Sequence, residues 1–155
     1  MSLGVHFALD QEQERLVLGA EGDEELAAVI EEIEETSDPH WHMPSDKAWD
    51  AIHRCLSAED DGLSPVILGG RDLYEGEDYF VAYVTAEEVR ALAQALPSLD
   101  RERFSRRYFA MDVDEYPGPH GERDFAYTWE NFEDVREFFA RAAEAGRAVV
   151  FTVDG

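Results

Sequence analysis

The segment YFVAYVTAEEVRALAQAL, residues 79–96, predicts a strand followed directly by a helix. Its first six residues are mostly aromatic or β-branched, and such side chains are enriched in strands. Thr85 followed by Glu88 is typical of a capping box at a helix start, and Pro97 ends the helix. One face of the helix is apolar and consists of Val89, Leu92, Ala93 and Leu96. The fold class must therefore contain both strands and helices.

Upstream of this segment, the sequence predicts one strand, two helices and a loop. Apolar side chains alternate with other residues across 4–9, which is typical of a half-buried strand, and Asp10 can cap a short helix through residue 18. In residues 23–35 apolar side chains recur at helical spacing, so the glutamates fall on the opposite side. Residues 36–45, TSDPHWHMPS, contain two prolines and predict a loop.

A third helix is expected after Ser45, which can serve as its N-cap. The face of this helix that points inward comprises Trp49, Ile52, His53 and Leu56. The apolar run SPVILGG, residues 64–70, then predicts a second central strand before residues 79–84.

Downstream, residues 100–108 predict a short helix that carries a cluster of four arginines. A Pro- and Gly-rich loop follows, then a short strand at 125–128, a helix at 130–145 and a buried C-terminal strand. Strands and helices mix without regular alternation, and no repeat is visible. We expect one compact α+β domain over residues 1–155, with a mixed or mainly antiparallel sheet packed against several helices.

Charge is the most unusual property of the sequence. Of the 155 residues, 36 are acidic and 13 basic, for a net charge of −23. Residues 1–38 hold twelve acids against Arg15 alone, which leaves −11 of that charge in the first quarter of the chain. Because nucleic acids and anionic lipids are attracted by Lys and Arg, this balance argues against both as partners.

An acidic surface on the 23–35 helix favours a basic protein as partner, since the field would speed association. The residues that would contact it are Glu24, Glu25, Glu31, Glu32 and Glu35. The same charge also fits a solvated surface that keeps the protein soluble, or a halophilic source, and composition does not separate these three origins.

Several function classes have no support in the sequence. Cys55 is the only cysteine, and neither a membrane-spanning apolar run nor a signal core is present, so we expect a cytoplasmic protein. Nucleotide-binding glycine motifs and a nucleophile elbow are absent, and we predict no cofactor and no catalytic residue. His40 and His42 have a spacing that zinc can use, but without further ligand motifs they predict no metal site.

One group of polar and aromatic residues could form a ligand-binding cleft. Asp46, Lys47, Trp49 and His53 occupy two turns of the third helix, and Tyr116 could join them from the Pro/Gly loop. A histidine beside a carboxylate can act as a general base. The alternative is a structural histidine on an apolar face, satisfied by one or two hydrogen bonds.

The motif SDKAWDAIHRCL followed by SPVILGG resembles the YfbM-like family, bacterial proteins known as domain of unknown function 1877. The resemblance extends to the opening strand and helix, the 85–96 helix, the Tyr116–Pro117 pair and the final helix and strand. It implies a compact α+β fold with no established activity, and family context implies a role for some members in neutralising secreted bacterial toxins.

Three hypotheses of function follow. The first, which we favour, is a non-catalytic protein-binding module that uses the acidic helix, with toxin neutralisation as its specific form. The second is a small-ligand or enzymatic site around Lys47, Trp49 and His53. The third is a domain whose acidity serves solubility alone. The sequence leaves the oligomeric state open.

Overall fold

A five-stranded antiparallel sheet forms the centre of the protein in the computed structural model, which describes residues 2–154. The strands, in chain order, are β1 (Gly4–Leu9), β2 (His42–Asp46), β3 (Arg71–Asp72), β4 (Tyr79–Val84) and β5 (Ala148–Asp154). Their order in the sheet is β2-β1-β5-β4-β3. The predicted α+β class is confirmed, and the sheet is antiparallel at every pairing.

Six α-helices cover the two faces of the sheet within the described range. They are α1 (Gln11–Gly19), α2 (Asp23–Thr36), α3 (Trp49–Leu56), α4 (Ala86–Ala95), α5 (Arg101–Ala110) and α6 (Glu122–Glu144). Helices α1 and α2 pack on one face, and α3 to α6 pack on the other. Short 3-10 helices occupy Pro39–Trp41, Ser64–Val66 and Leu96–Ser98.

Strand β1 is buried on both faces, although its alternation predicted a half-buried strand. Phe7 and Leu9 belong to the core beneath α1 and α2, while His6 and Ala8 face the larger helical layer. The imidazole of His6 is fully buried, and its Nε2 lies 2.6 Å from the Val66 carbonyl oxygen. A sheet with helices on both sides has no solvated face, so the polar residue His6 is buried as well.

Two helix starts with local capping signals lie where the sequence predicted them. Asp10 and Gln13 form a reciprocal capping box before α1, and Thr85 and Glu88 form one before α4. Each box satisfies backbone N–H groups that the first helical turn leaves free. These local bonds explain why the two boundaries could be predicted.

The predicted strand at 125–128 is wrong, because these residues belong to α6. Phe125, Thr128, Trp129 and Phe132 are buried on one side of the helix, so the helical period includes residues that precede the predicted start at 130. Phe132 stacks on Phe104 of α5 with ring centroids 4.6 Å apart. Tertiary packing therefore outweighs the β propensity of this short segment.

The predicted loop at 36–45 is also wrong in part, because its end forms edge strand β2. Pro44 is exposed and lies opposite Val5, at a sheet edge where the missing N–H is tolerated. Ser45, the predicted N-cap, is instead buried in β2, and Ala48 occupies the N-cap position of α3.

Residues 64–70, predicted as a central strand, form a 3-10 helix and a turn. A methyl group on Gly69 would lie 2.6 Å from the Ser64 carbonyl carbon, so the chain folds back on itself too tightly for a strand. Val66 and Ile67 are nevertheless buried. The apolar run reflects burial rather than sheet pairing.

None of the helices in the part of the chain that the structure describes is long and apolar enough to cross a membrane.

Candidate functional site

Helix α2 presents an acidic surface, which we define as Glu24, Glu25, Glu31, Glu32 and Glu35. The opposite side of the helix is anchored by buried Leu26, Ile30 and Ile33. All five glutamates are exposed, and within residues 2–154 none of them forms an ion pair. Their charge is therefore directed at solvent without compensation by neighbouring cations.

The start of α2 is held against the β3–β4 connection by Asp23. Its two carboxylate oxygens accept hydrogen bonds from the backbone N–H groups of Glu75, at 2.8 Å, and Gly76, at 2.9 Å. Together with the buried apolar residues, these bonds fix the orientation of the acidic surface. A fixed array of like charges gives a defined electrostatic field at the surface.

The predicted cleft residues Asp46 and Lys47 lie together at the end of β2. The Tyr127 hydroxyl donates a 2.9 Å hydrogen bond to Asp46, and the Lys47 backbone N–H donates to the same hydroxyl at 3.3 Å. Asp46 has a positive φ of 51°, a conformation that Asp tolerates better than most residues. Tyr127 thereby ties the turn between β2 and α3 to helix α6.

Trp49 is a packing residue in a different environment. Its indole Nε1 donates a 2.9 Å hydrogen bond to the Ser2 carbonyl oxygen, and its ring centroid lies 6.0 Å from that of Phe151. A methyl group on Gly4 would lie 2.9 Å from the Trp49 ring, so the indole fills the space above that glycine. Sequence spacing carries no signal for these contacts, because they depend on distant strands.

His53 faces a separate cavity of about 370 Å³, which also includes Ser57, Ser64 and Gly69 in its wall. The Leu68 N–H donates to Nδ1 at 3.5 Å, and Nε2 lies 3.5 Å from the Ser57 hydroxyl. Burial lowers the pKa of His53, against an opposing effect of Asp50.

Tyr116 lies apart from these three environments and is buried beside α6. Its hydroxyl donates a 2.7 Å hydrogen bond to Asp124, and the Tyr108 hydroxyl donates to the same oxygen at 2.5 Å. Burial and these bonds to the carboxylate raise the pKa of both tyrosines. The ring of His120 stacks on Tyr108 at 4.5 Å. The structure thus distributes the five predicted cleft residues among four local environments.

Sequence reasoning missed this tyrosine–carboxylate cluster of Tyr108, Tyr116 and Asp124. The assignment of residues 125–128 to a strand obscured it, because Asp124 lies in the first turn of α6. A helix predicted from residue 122 would have placed Asp124 at an N-terminal turn, where carboxylates are favoured.

His40 and His42, considered for zinc, lie on the 3-10 helix and on β2, respectively. The ring of His40 packs edge-on against Trp41, with centroids 4.6 Å apart. Among residues 2–154, no group of three His, Cys, Asp or Glu side chains is arranged to hold a metal ion.

Comparison with known proteins connects this fold to one family. Protein YfbM of Escherichia coli strain K12 is 29% identical over 100 residues, which are 58% of this chain and 60% of that protein. The chain therefore aligns with less than two thirds of that relative's length. The crystal structure of YfbM from Escherichia coli, a protein of unknown function, matches with a TM-score of 0.75 at 20% identity and covers 97% of this chain and 99% of the solved chain.

The structural likeness establishes a shared fold. A family model described as domain of unknown function DUF1877 matches residues 1–152, nearly the whole chain. The chain therefore belongs to the DUF1877 family.

Proposed function

We propose that this chain is a non-catalytic protein-binding module that acts in the cytoplasm and engages a basic protein through the acidic surface of α2. The observation that carries the proposal is the exposure of five glutamates on one rigid helix, with no ion pair to any of them in the described range. Opposite charge on a partner would supply the missing compensation and speed association.

The position of the acids on α2 supports a role in binding rather than in stability. The last turn of α2 contains no basic residue, and Glu32 and Glu35 lie near its C-terminus. Negative charge there opposes the helix dipole, and Glu31 and Glu35 repel each other at i, i+4. A surface selected for stability alone would carry lysine or arginine at this end.

The finer proposal is that the partner is a secreted bacterial toxin, which the module neutralises by covering its basic surface. A protein that binds a phosphate backbone presents Lys and Arg, and an acidic module can occupy the same residues. Such binding would be fast at low salt and would weaken as ionic strength rises.

The test compares three forms of the full chain as bait against host lysate and secretome, at low and at moderate salt. The forms are native, the E24K/E31K/E35K variant, and a matched E130K/E133K/E137K variant with equal charge change on the exposed side of α6. We expect the native form and the E130K/E133K/E137K variant to retain one basic protein, whose association rate falls as salt rises. The E24K/E31K/E35K variant should not retain it. Equal retention by all three forms, or rates independent of salt, would reject the proposal.

A second candidate is a small-ligand site, favoured by the cavity of about 370 Å³ beside His53. Lys47 and Trp49 are absent from the residues that line this cavity, so the candidate now rests on His53 with Ser57 and Ser64. His53→Ala and His53→Gln separate the two roles: a large fall in melting temperature for both indicates a structural histidine, whereas unchanged melting favours a ligand role.

A further inference from the structure

A cavity of about 690 Å³ lies between the end of α3, helix α5 and the loop after α5. Four arginines line it, namely Arg54, Arg103, Arg106 and Arg107. The whole chain has only 13 basic residues and a net charge of −23, so four of its few basic side chains meet at this arginine cavity.

Three of these arginines lie on one side of α5. Arg106 and Arg107 follow Arg103 at i+3 and i+4, a spacing at which like charges destabilise a helix. Arg103 donates to the Ser98 carbonyl oxygen at 2.9 Å, and no carboxylate of residues 2–154 lies within ion-pair distance of it. Arg106 is paired with Glu102, but both side chains are largely exposed, so this pair offsets little of the repulsion.

Arg107 is held in a fixed orientation at the wall of the cavity. Its side chain is only 8% exposed, and its guanidinium donates to the Cys55 carbonyl oxygen, Glu59 and Asp61. These three acceptors leave the guanidinium little rotational freedom. A guanidinium that is ordered before a ligand arrives reduces the entropy lost on binding.

Arg54 is similarly ordered on the α3 side. Its Nε donates a 2.6 Å hydrogen bond to Asp50, and the guanidinium lies over the Tyr116 ring, 5.8 Å from the centroid. The arginine cavity is therefore built from two restrained arginines and the two exposed arginines of α5.

Three carboxylates also line the cavity and restrict where an anion can bind. Glu59 is bound to Arg107, and Asp112 accepts a 2.9 Å hydrogen bond from the Asp114 backbone N–H. Glu115 is exposed and has no ion pair within the described residues. Arg103 forms no ion pair in the described range, and Arg106 pairs only with the exposed Glu102, so these two guanidinium groups are the ones left for an anionic group.

We propose that the arginine cavity binds a small organic anion, with a carboxylate or phosphate group held by Arg103 and Arg106. The planar guanidinium matches the paired oxygens of either group. Ala110 and Met111 line the same cavity and offer apolar contact to the rest of the ligand. The volume lies in the range of about 300–1,000 Å³ typical of small-molecule sites.

The strong negative charge of α1 and α2 lies on the opposite face of the sheet. At physiological ionic strength the Debye length is about 8 Å. Salt therefore screens the repulsion between α1 and α2 and a bound anion more strongly than it screens the contacts of that anion within the cavity. The proposed anion site is independent of the acidic surface of α2.

The test is a titration of the full chain with inorganic phosphate and, separately, with benzoate, followed by ¹H–¹⁵N NMR. The R103Q/R106Q variant removes the proposed contacts, and R90Q/R123Q removes two exposed arginines elsewhere. We expect saturable shifts at the ends of α3 and α5, with a Kd raised at least about tenfold in R103Q/R106Q and unchanged in R90Q/R123Q. Binding of phosphate alone or of benzoate alone supports the site and identifies the preferred anion.

The proposal is overturned if neither probe gives saturable shifts in the cavity up to about 10 mM, or if both double variants weaken binding equally. The E24K/E31K/E35K variant separates this proposal from the protein-binding one. It should bind the anion at least as well as the native chain while losing the basic protein partner.

Discussion

The hydroxyl of Tyr116 donates a 2.7 Å hydrogen bond to Asp124, which also accepts a hydrogen bond from Tyr108. Tyr108 lies on α5, Tyr116 in the following loop and Asp124 in the first turn of α6. One carboxylate thus joins three consecutive segments. These hydrogen bonds anchor the loop between α5 and α6 to both helices, and the negative charge of Asp124 strengthens them.

Tyr116→Phe should therefore destabilise the protein by about 1–2 kcal/mol, because Asp124 keeps its bond to Tyr108. Asp124→Ala should be worse, at about 2–4 kcal/mol, since it leaves two largely buried hydroxyls without their acceptor. Urea unfolding followed by circular dichroism gives both values. Tyr127→Phe, which removes a more exposed bond to Asp46, is the control and should change stability by less than about 1 kcal/mol. Equal losses for Tyr116→Phe and Asp124→Ala would contradict a shared acceptor.

Gly4→Ala should disrupt the packing of Trp49 on the sheet. The added methyl group would lie 2.7 Å from the Phe151 ring and 2.9 Å from the Trp49 ring. Overpacking of this kind costs about 1–3 kcal/mol. Gly19→Ala at the end of α1 is the matched control, because no atom outside its own helix and neighbours lies within 4 Å. The control should be neutral or slightly stabilising in thermal melts. An equal loss of stability in both variants would contradict a steric clash at Gly4.

Arg107→Leu should cost about 1–3 kcal/mol, because it removes the ion pairs of a buried guanidinium with the partly exposed Glu59 and Asp61 and its hydrogen bond to the Cys55 carbonyl oxygen. Arg106→Leu removes an exposed ion pair with Glu102 and should cost less than about 1 kcal/mol. Chemical denaturation of the two variants side by side measures the difference. If the neighbouring substitutions have equal effects, the buried guanidinium of Arg107 has no special role in stability.

His6 should make the fold sensitive to acid. Burial lowers the pKa of His6 from 6.5 to about 4, while the hydrogen bond to Val66 acts in the opposite direction. The unfolded chain therefore binds a proton more readily than the folded chain between these values. Stability attributable to His6 is fully present above pH 6.5 and is lost as pH falls towards 4, by about 3 kcal/mol in total.

The measurement is the free energy of unfolding from pH 7.5 to 4 for the native chain and for His6→Gln, which can still donate to Val66 but does not titrate. The carboxylates contribute equally to both curves. We expect the native curve to fall more steeply below pH 6.5, and parallel curves would refute the assignment to His6.

Glu35→Lys should stabilise α2 by about 0.3–1 kcal/mol, because it places a positive charge at the C-terminus of the helix dipole. Glu24→Lys, with the same charge change in the first turn, should destabilise the helix by a similar amount. Urea unfolding at low salt should show these opposite signs. A shift of the same sign in both variants would indicate that net charge, rather than position on the helix, governs stability.

The sequence was sufficient wherever the physical cause was local. The capping boxes at Asp10 and Thr85 involve residues three positions apart, so they can be recognised from the sequence alone. The apolar period of α2 likewise predicted a buried side and an exposed acidic side, because helix geometry alone determines which residues share a face. The net charge of −23 is a property of composition.

Other features depended on contacts between distant segments. Strand β2 contains a proline and has weak strand propensity, and it forms because β1 offers an unpaired edge. Residues 125–128 have strand-like composition but lie in α6, where Phe125 and Trp129 are buried together.

The amino-acid sequence by itself determined the α+β class, the acidic face of α2 and most helix positions, because these follow from spacing and charge along the chain. Only the tertiary structure decided that Trp49, His53 and Tyr116 lie in different environments. It also decided that Arg54 lines the same cavity as the arginines of α5. The physical reason is that a side chain's neighbours are set by how helices and strands pack across the sheet. Sequence spacing constrains that packing without specifying it.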